Sequence, residues 1–154
     1  MEILERDTLY ICGYSVETAL AQSDKDVSAL YNDFFSSGKD FALCALHGVK
    51  QGYYGLMWYT QGHEKYCYLL GLEVGADNTA PKEAVLKKIP KTTYAMAKFP
   101  QNKDIIQAWT EFFYTEIPNA GLSPNEVQNF YFEYYPVDGH GDYELWVPVV
   151  KADV

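Results

Sequence analysis

Residues 130–136 read FYFEYYP: one carboxylate, Glu133, set among five aromatic rings. Side chains alternate across an extended strand, so Tyr131, Glu133 and Tyr135 share one face and Phe130, Phe132 and Tyr134 the other. On the run that follows, Leu145 and Val147 fall on one face while Glu144 and Trp146 point the other way. The more apolar set is expected to pack on helices, leaving Glu133 with Tyr131, Tyr135 and Trp146 as neighbours. A carboxylate in such surroundings is costly to desolvate unless a positive charge offsets it. A ligand cation could supply that charge, and each aromatic face adds roughly 0.5–2 kcal/mol of cation–π attraction. The chemistry suggested is shape-tolerant binding of a lipophilic, aromatic cation.

Other chemistries have weaker signals. Gly139–His140–Gly141 fits a hairpin turn better than a phosphate loop, because no helix follows it. Cys44 and His47 have metal-like spacing but no second ligand pair, so neither a metal nor a cofactor is expected. Three widely separated cysteines, Cys12, Cys44 and Cys67, make no disulfide framework and fit a reducing compartment. His47, His63 and His140 are expected in turns or loops, and no serine stands in a recognisable nucleophile context.

Composition narrows the partners. Twelve basic residues against 21 acidic ones give a net charge of −9, which argues against direct nucleic-acid binding. An acidic field favours cationic partners, or simply solubility. No apolar run reaches membrane-spanning length, and the mixed charges of MEILERDTLY argue against a signal peptide. The expectation is a cytoplasmic protein without a membrane partner.

The elements that must position Glu133 are visible as a repeat. DKDVSALYNDFF (24–35) and NKDIIQAWTEFF (102–113) match at an offset of 78 positions. Lys25 and Asp26 fall on Lys103 and Asp104, Tyr31 on Trp109, and Phe34–Phe35 on Phe112–Phe113. In each copy the apolar residues recur on one helical face. Asp24 or Asp26, and Asn102 or Asp104, are expected N-caps, with Gly38 and Gly121 near the C-terminal ends. Tyr31 and Trp109 are expected in the core. A strand candidate precedes each helix (9–16 and 93–100), and a hairpin follows each, turning at Gly62–His63 and Gly139–His140. The expected fold is α+β: one domain over 1–154, with β-α-β-β units at 1–75 and 91–154 and a linker at 76–90. An antiparallel sheet and a cleft between the units complete it.

The two turns align at an offset of 77. That carries Tyr131 to Tyr54, Glu133 to Leu56, Tyr135 to Trp58 and Trp146 to Leu69. The cleft should then be lined by Tyr and Trp around a single acid. A near-symmetric scaffold with one acid suggests a site, since the other copy folds without it.

The tandem plan, the strand IPKTTYAMAKFP, the helix IIQAWTEFFYTEIP and the ending FEYYP…YELWVPV resemble the GyrI-like small-molecule-binding domain family. The resemblance covers nearly the whole chain. It implies effector binding of drug-like, often cationic molecules, as in AraC-type and MerR-type multidrug regulators. Other members are gyrase-inhibitory proteins or cyclopropanoid hydrolases. It further implies that Glu133 is the ligand-contacting acid and Trp146 the aromatic on the last strand, with Tyr54, Trp58 and Tyr94 as looser matches. The sequence carries no helix-turn-helix segment or coiled-coil linker, unlike the regulators.

Three functions are therefore in competition. The first, which the residues favour, is a binding module for cationic aromatic small molecules. The second is a hydrolase of strained rings with Glu133 as general base, which would require a desolvated carboxylate and a nearby proton donor. The third is a protein-binding role, with a gyrase, a regulator or a second copy as a homodimer partner.

Overall fold

The computed structural model describes residues 1–47, 52–61, 64–75, 80–136 and 141–152. The strands are β1 (Glu2–Arg6), β2 (Leu9–Thr18), β3 (Gly52–Gln61), β4 (Lys65–Val74), β5 (Val85–Ile89), β6 (Thr92–Phe99), β7 (Leu122–Pro124), β8 (Phe130–Pro136) and β9 (Tyr143–Lys151). The helices are α1 (Ser23–Ser36), after a single 3₁₀ turn, α2 (Lys39–His47) and α3 (Ile105–Glu111). α3 runs on through a π-helical segment, Phe112–Glu116, into a final turn, α4 (Ile117–Asn119). The fold is thus α+β with an antiparallel sheet. No described helix is long and apolar enough to cross a membrane.

The sheet order is β1-β6-β9-β8-β3-β4-β2-β5, with β7 added beside β9. Its two ends meet, because β5 and β6 are joined through Pro90 and Lys91 alone. Arg6 on β1 also reaches Tyr54 on β3 and Glu73 on β4. Five strand spacings separate β1 from β4 in that order, about 24 Å if the sheet were flat. Contact across that span requires a strongly curled sheet. Its concave face closes on an aromatic core that includes Ile11, Leu56, Tyr94, Phe132 and Trp146.

All the long helices cover the convex face. Phe34 of α1 and Leu43 of α2 pack with Tyr14, Leu70 and Leu72. Ala108, Phe112 and Ile117 pack with Ala95, Leu145 and Val147. Asp104 caps α3, its carboxylate accepting from the Gln107 amide at 3.0 Å. α1 starts earlier than its acids suggest: it begins at Ser23 with Gln22 as an uncapping N-cap, so Asp24 and Asp26 lie in the first turn. Gly38 and Gly121 follow the helices at φ 85° and 74°, the left-handed conformation that ends a helix at little steric cost.

Several elements depart from the sequence expectation. The more apolar set of β8, Phe130, Phe132 and Tyr134, packs in the concave core and not on the helices. A curled sheet supplies its own apolar partners there, so no helix is required. Residues 76–90, expected as a linker, include strand β5, which extends the sheet beside β2. β1, α2 and β7 were not anticipated either. The turns expected at Gly62–His63 and Gly139–His140 lie outside the described residues.

Candidate functional site

Glu133 sits in the middle of β8, on the convex face, and is 5% exposed. Its Oε1 accepts hydrogen bonds from the hydroxyls of Tyr68 at 2.7 Å and Tyr135 at 2.8 Å. Its Oε2 accepts from the Trp109 indole Nε1 at 2.7 Å. The Tyr31 and Tyr68 hydroxyls lie 2.6 Å apart, extending the network to α1. Among the described residues, none of the ion pairs involves Glu133. Three neutral donors from three separate elements therefore hold one buried carboxylate.

Local structure explains how the donors converge. β3 and β8 pair so that Gly55 stands opposite Glu133. A Cβ at Gly55 would lie 2.0 Å from the Tyr68 hydroxyl oxygen and 2.9 Å from Glu133 Oε1. Only glycine leaves room for the phenol to reach the acid. Tyr68 in turn stands opposite Met57 on the same face. Trp109 is placed by α3, one helical turn after Ile105, which lets its indole N–H point down onto the sheet.

Burial pushes the Glu133 carboxyl above the usual carboxylate range, and the bonds from Trp109, Tyr68 and Tyr135 partly oppose that rise. The phenols of Tyr31, Tyr68 and Tyr135 are pushed up as well, first by burial and then by the nearby Glu133 charge. They therefore keep their protons at neutral pH and act as donors. A hydrogen bond to a charged group contributes roughly 1.5–3 kcal/mol net, so three of them offset much of the desolvation of one carboxylate.

Above this floor opens a cavity of about 1150 Å³. α1 forms one wall, with Asp24, Val27, Ser28, Tyr31 and Phe35. α3 and the π-helical segment form the other, with Ile105, Ile106, Trp109, Phe113 and Tyr114. Met57, Tyr59, Tyr66, Tyr68, Tyr131 and Tyr135 surround Glu133 on the sheet. Single-turn π insertions are frequent at functional sites, and here one sets Phe113 and Tyr114 at the wall. Among the described residues, no group of three or more His, Cys, Asp or Glu side chains is arranged to hold a metal.

The structure brings Glu133, Tyr131 and Tyr135 together as expected. It separates the others. Trp146 pairs with Phe132, so it lies on the concave face, and its indole donates to Glu144 at 2.9 Å. Tyr54 and Leu56 share that face, in the core with Leu69 and the fully buried Tyr94. The Tyr94 hydroxyl has no hydrogen-bond partner among the described residues. Trp58 reaches the cavity margin, yet it packs against the concave core with the Lys87 ammonium 4.2 Å from its ring centre.

For Trp146 the reason is the β8–β9 register, which sets it opposite Phe132 and sets Leu145 opposite Glu133; for Tyr54, Leu56 and Trp58 it is a one-residue slip. The register between β3 and β4 shifts at Tyr59/Gln61, so the offset of 77 that aligns the turns does not hold along β3. One extra residue exchanges the two faces of a strand. At the helix offset of 78, Glu133 falls on Gly55, which is its observed partner. Tyr31 and Trp109, expected in the core, are half-buried, packing against the core clusters and also lining the cavity, and Tyr68 was missed. The signal that could have found them was the disagreement between the two offsets, which marks a bulge.

A family model described as Cass2, integron-associated effector binding protein, matches residues 2–149. No curated protein sequence matches the chain significantly. Among solved structures, SAV2435 bound to tetraphenylphosphonium is similar with a TM-score of 0.76 at 16% identity, over 97% of this chain and 93% of that one. The integron cassette protein VCH_CASS2 from the mobile metagenome of Vibrio cholerae gives 0.67 at 17% identity, over 97% and 95% of the chains. The C-terminal domain of EcmrR gives 0.62 at 11% identity, over 98% and 97%. Identities this low establish a shared fold.

Proposed function

Since the chain belongs to the family of integron-associated effector-binding proteins, we propose that the cavity between α1 and α3 binds lipophilic organic cations with Glu133 as their counter-charge. The observation that carries this reading is a carboxylate only 5% exposed, held by three neutral donors at the floor of an aromatic cavity. The donors fix the carboxylate in place without neutralising it. A bound cation would supply the missing charge, and Tyr, Trp and Phe faces would stack on its apolar groups. Micromolar affinity requires only about 8 kcal/mol, within reach of several stacked rings and one ion pair. SAV2435, which shares the fold, is a tetraphenylphosphonium-bound protein, and that ion is the natural first probe.

The same reading treats 1–75 and 91–154 as two copies of one unit with the cavity between them. The pairing of Tyr31 with Trp109, and of Gly55 with Glu133, at one offset supports it. The copies then differ where it counts: one contributes the acid, the other a glycine that admits the acid's donor.

The geometry favours binding over hydrolysis. Glu133 Oε1 already accepts two hydrogen bonds, and the Tyr68 and Tyr135 protons are directed at the carboxylate and not into the cavity. Neither phenol is free to polarise a substrate. The test is a tryptophan-fluorescence titration with tetraphenylphosphonium and with neutral triphenylphosphine oxide, followed by product analysis. Glu133→Gln is expected to weaken the cation by at least about 2 kcal/mol, roughly 30-fold, and the neutral compound far less. Equal losses for both would overturn the counter-charge role, and altered ligand would favour the hydrolase.

A further inference from the structure

The cavity wall carries a second acid. Among the described lining residues Asp24 and Glu133 are the acids, and no Lys, Arg or His lines the cavity. Asp24 stands in the first turn of α1, at the outer end, and Tyr31 stands two turns further along the same helical face. Seven residues of helix rise span about 10 Å. The inner end of that span is tied to Glu133, since the Tyr31 hydroxyl contacts Tyr68 and Tyr68 donates to the carboxylate. Tyr66 lines the cavity from the sheet; burial above all holds its proton more tightly, and the Glu133 and Asp24 carboxylates add to that. The cavity volume of about 1150 Å³ also exceeds the roughly 300–1,000 Å³ of ordinary ligand pockets.

Resting on the cation-binding reading above, we propose that the preferred ligands are elongated dications. One charge lies against Glu133 and the other against Asp24, which stands two helical turns before Tyr31 on α1. A compact monocation at Glu133 leaves the outer volume to water and the Asp24 field unanswered. A two-headed ligand fills both. The two ends differ in kind: Glu133 is desolvated and little screened, whereas Asp24 is exposed and subject to salt with a Debye length of about 8 Å at physiological ionic strength.

The experiment is a calorimetric titration of α,ω-bis(trimethylammonium) alkanes of increasing length against alkyltrimethylammonium ions of matching chain length. It uses wild type, Asp24→Asn and Glu133→Gln at low and high salt. The dication-to-monocation affinity ratio should peak at one intermediate chain length and fall about two- to fivefold in Asp24→Asn. High salt should lower the ratio in wild type but not in Asp24→Asn. The twofold statistical advantage of a two-headed ligand persists in every variant, so the change in ratio is the readout. A ratio that survives Asp24→Asn, or that is flat with chain length, overturns the dication proposal. If monocations still bind and lose affinity in Glu133→Gln, the parent reading stands without it. If no cation binds, or Glu133→Gln has no effect, both are wrong.

Discussion

Two ionisable side chains, Arg6 and Glu133, sit among aromatic rings on opposite faces of the same curled sheet. On the concave face, the Arg6 guanidinium lies 4.9 Å from the Trp146 ring centre, 5.7 Å from Phe132 and 5.8 Å from Tyr54. It donates to the Tyr54 hydroxyl at 2.8 Å and lies 3.5 Å from the Glu73 carboxylate. That aromatic cage already holds its cation, and an acid beside it completes the charge. On the convex face the cage around Glu133 has rings and donors, but no basic residue of the described chain enters it. Adjacent residues, Phe132 and Glu133, belong to the two sites, so strand alternation alone separates them. The Arg6 charge is answered within the chain; the Glu133 carboxyl meets only neutral dipoles there, which is the arrangement the proposed cation would complete.

The sharpest way to break the second site while sparing the first is Gly55→Ala. The added methyl would overlap the Tyr68 hydroxyl and crowd Glu133 Oε1. The phenol must move off the acid, at a cost of about 1–3 kcal/mol typical of overpacking. Urea unfolding should show that loss, and cation affinity should fall because the carboxylate loses a donor and its fixed position. Unchanged stability and affinity would mean that the Tyr68–Glu133 bond does not shape the site.

A pH titration sharpens the same comparison without a mutation. The folded-state value of Glu133 is raised by burial, so the native protein holds that proton more tightly than the unfolded chain does. This contribution to stability is fully present below the ordinary carboxylate value of about 4.3. It is lost as pH rises through the raised folded value, above which the charged, unliganded site remains a burden. Cation affinity runs the other way, because the ligand selects the ionised form. Below the raised value, affinity should drop by up to about tenfold per pH unit, with one proton released on binding. A neutral analogue should show a flat profile, and a cation with a flat profile from pH 4 to 8 would rule out Glu133 as its partner.

What the sequence revealed follows from which signals are local. The helices at 24–35 and 102–113 and both hairpins could be read because periodicity and β-formers act within a few residues. Glu133, Tyr131 and Tyr135 could be grouped because they share one strand. Trp146, Tyr54 and Leu56 were assigned to the wrong face because the faces of neighbouring strands depend on register: that of β8 with β9 for Trp146, and for Tyr54 and Leu56 the shift at Tyr59/Gln61. Tyr31 and Trp109 were taken for core residues because an amphipathic pattern reports which side of a helix is apolar, not whether that side meets a sheet or a cavity. Strand β5 was hidden because VLKKI carries two lysines, which suit an edge strand and read equally well as a loop.

The smallest expected effect tests the concave site. Arg6→Gln removes the cation from the cage of Tyr54, Phe132 and Trp146 and leaves Glu73 its hydrogen bond from the Tyr54 hydroxyl. Both partners of the ion pair are partly exposed, with side chains at 27% and 47%, so solvent screens much of its energy. The stacking adds about 0.5–1 kcal/mol at such a site. A total loss of about 1 kcal/mol in urea unfolding is expected, with a change in Trp146 emission as its ring is uncovered. Cation affinity in the α1–α3 cavity should stay as in wild type, because the sheet lies between the two faces. If Arg6→Gln instead weakened tetraphenylphosphonium as strongly as Glu133→Gln, the two faces would be coupled through the sheet. The concave cage would then have to count as part of the ligand site.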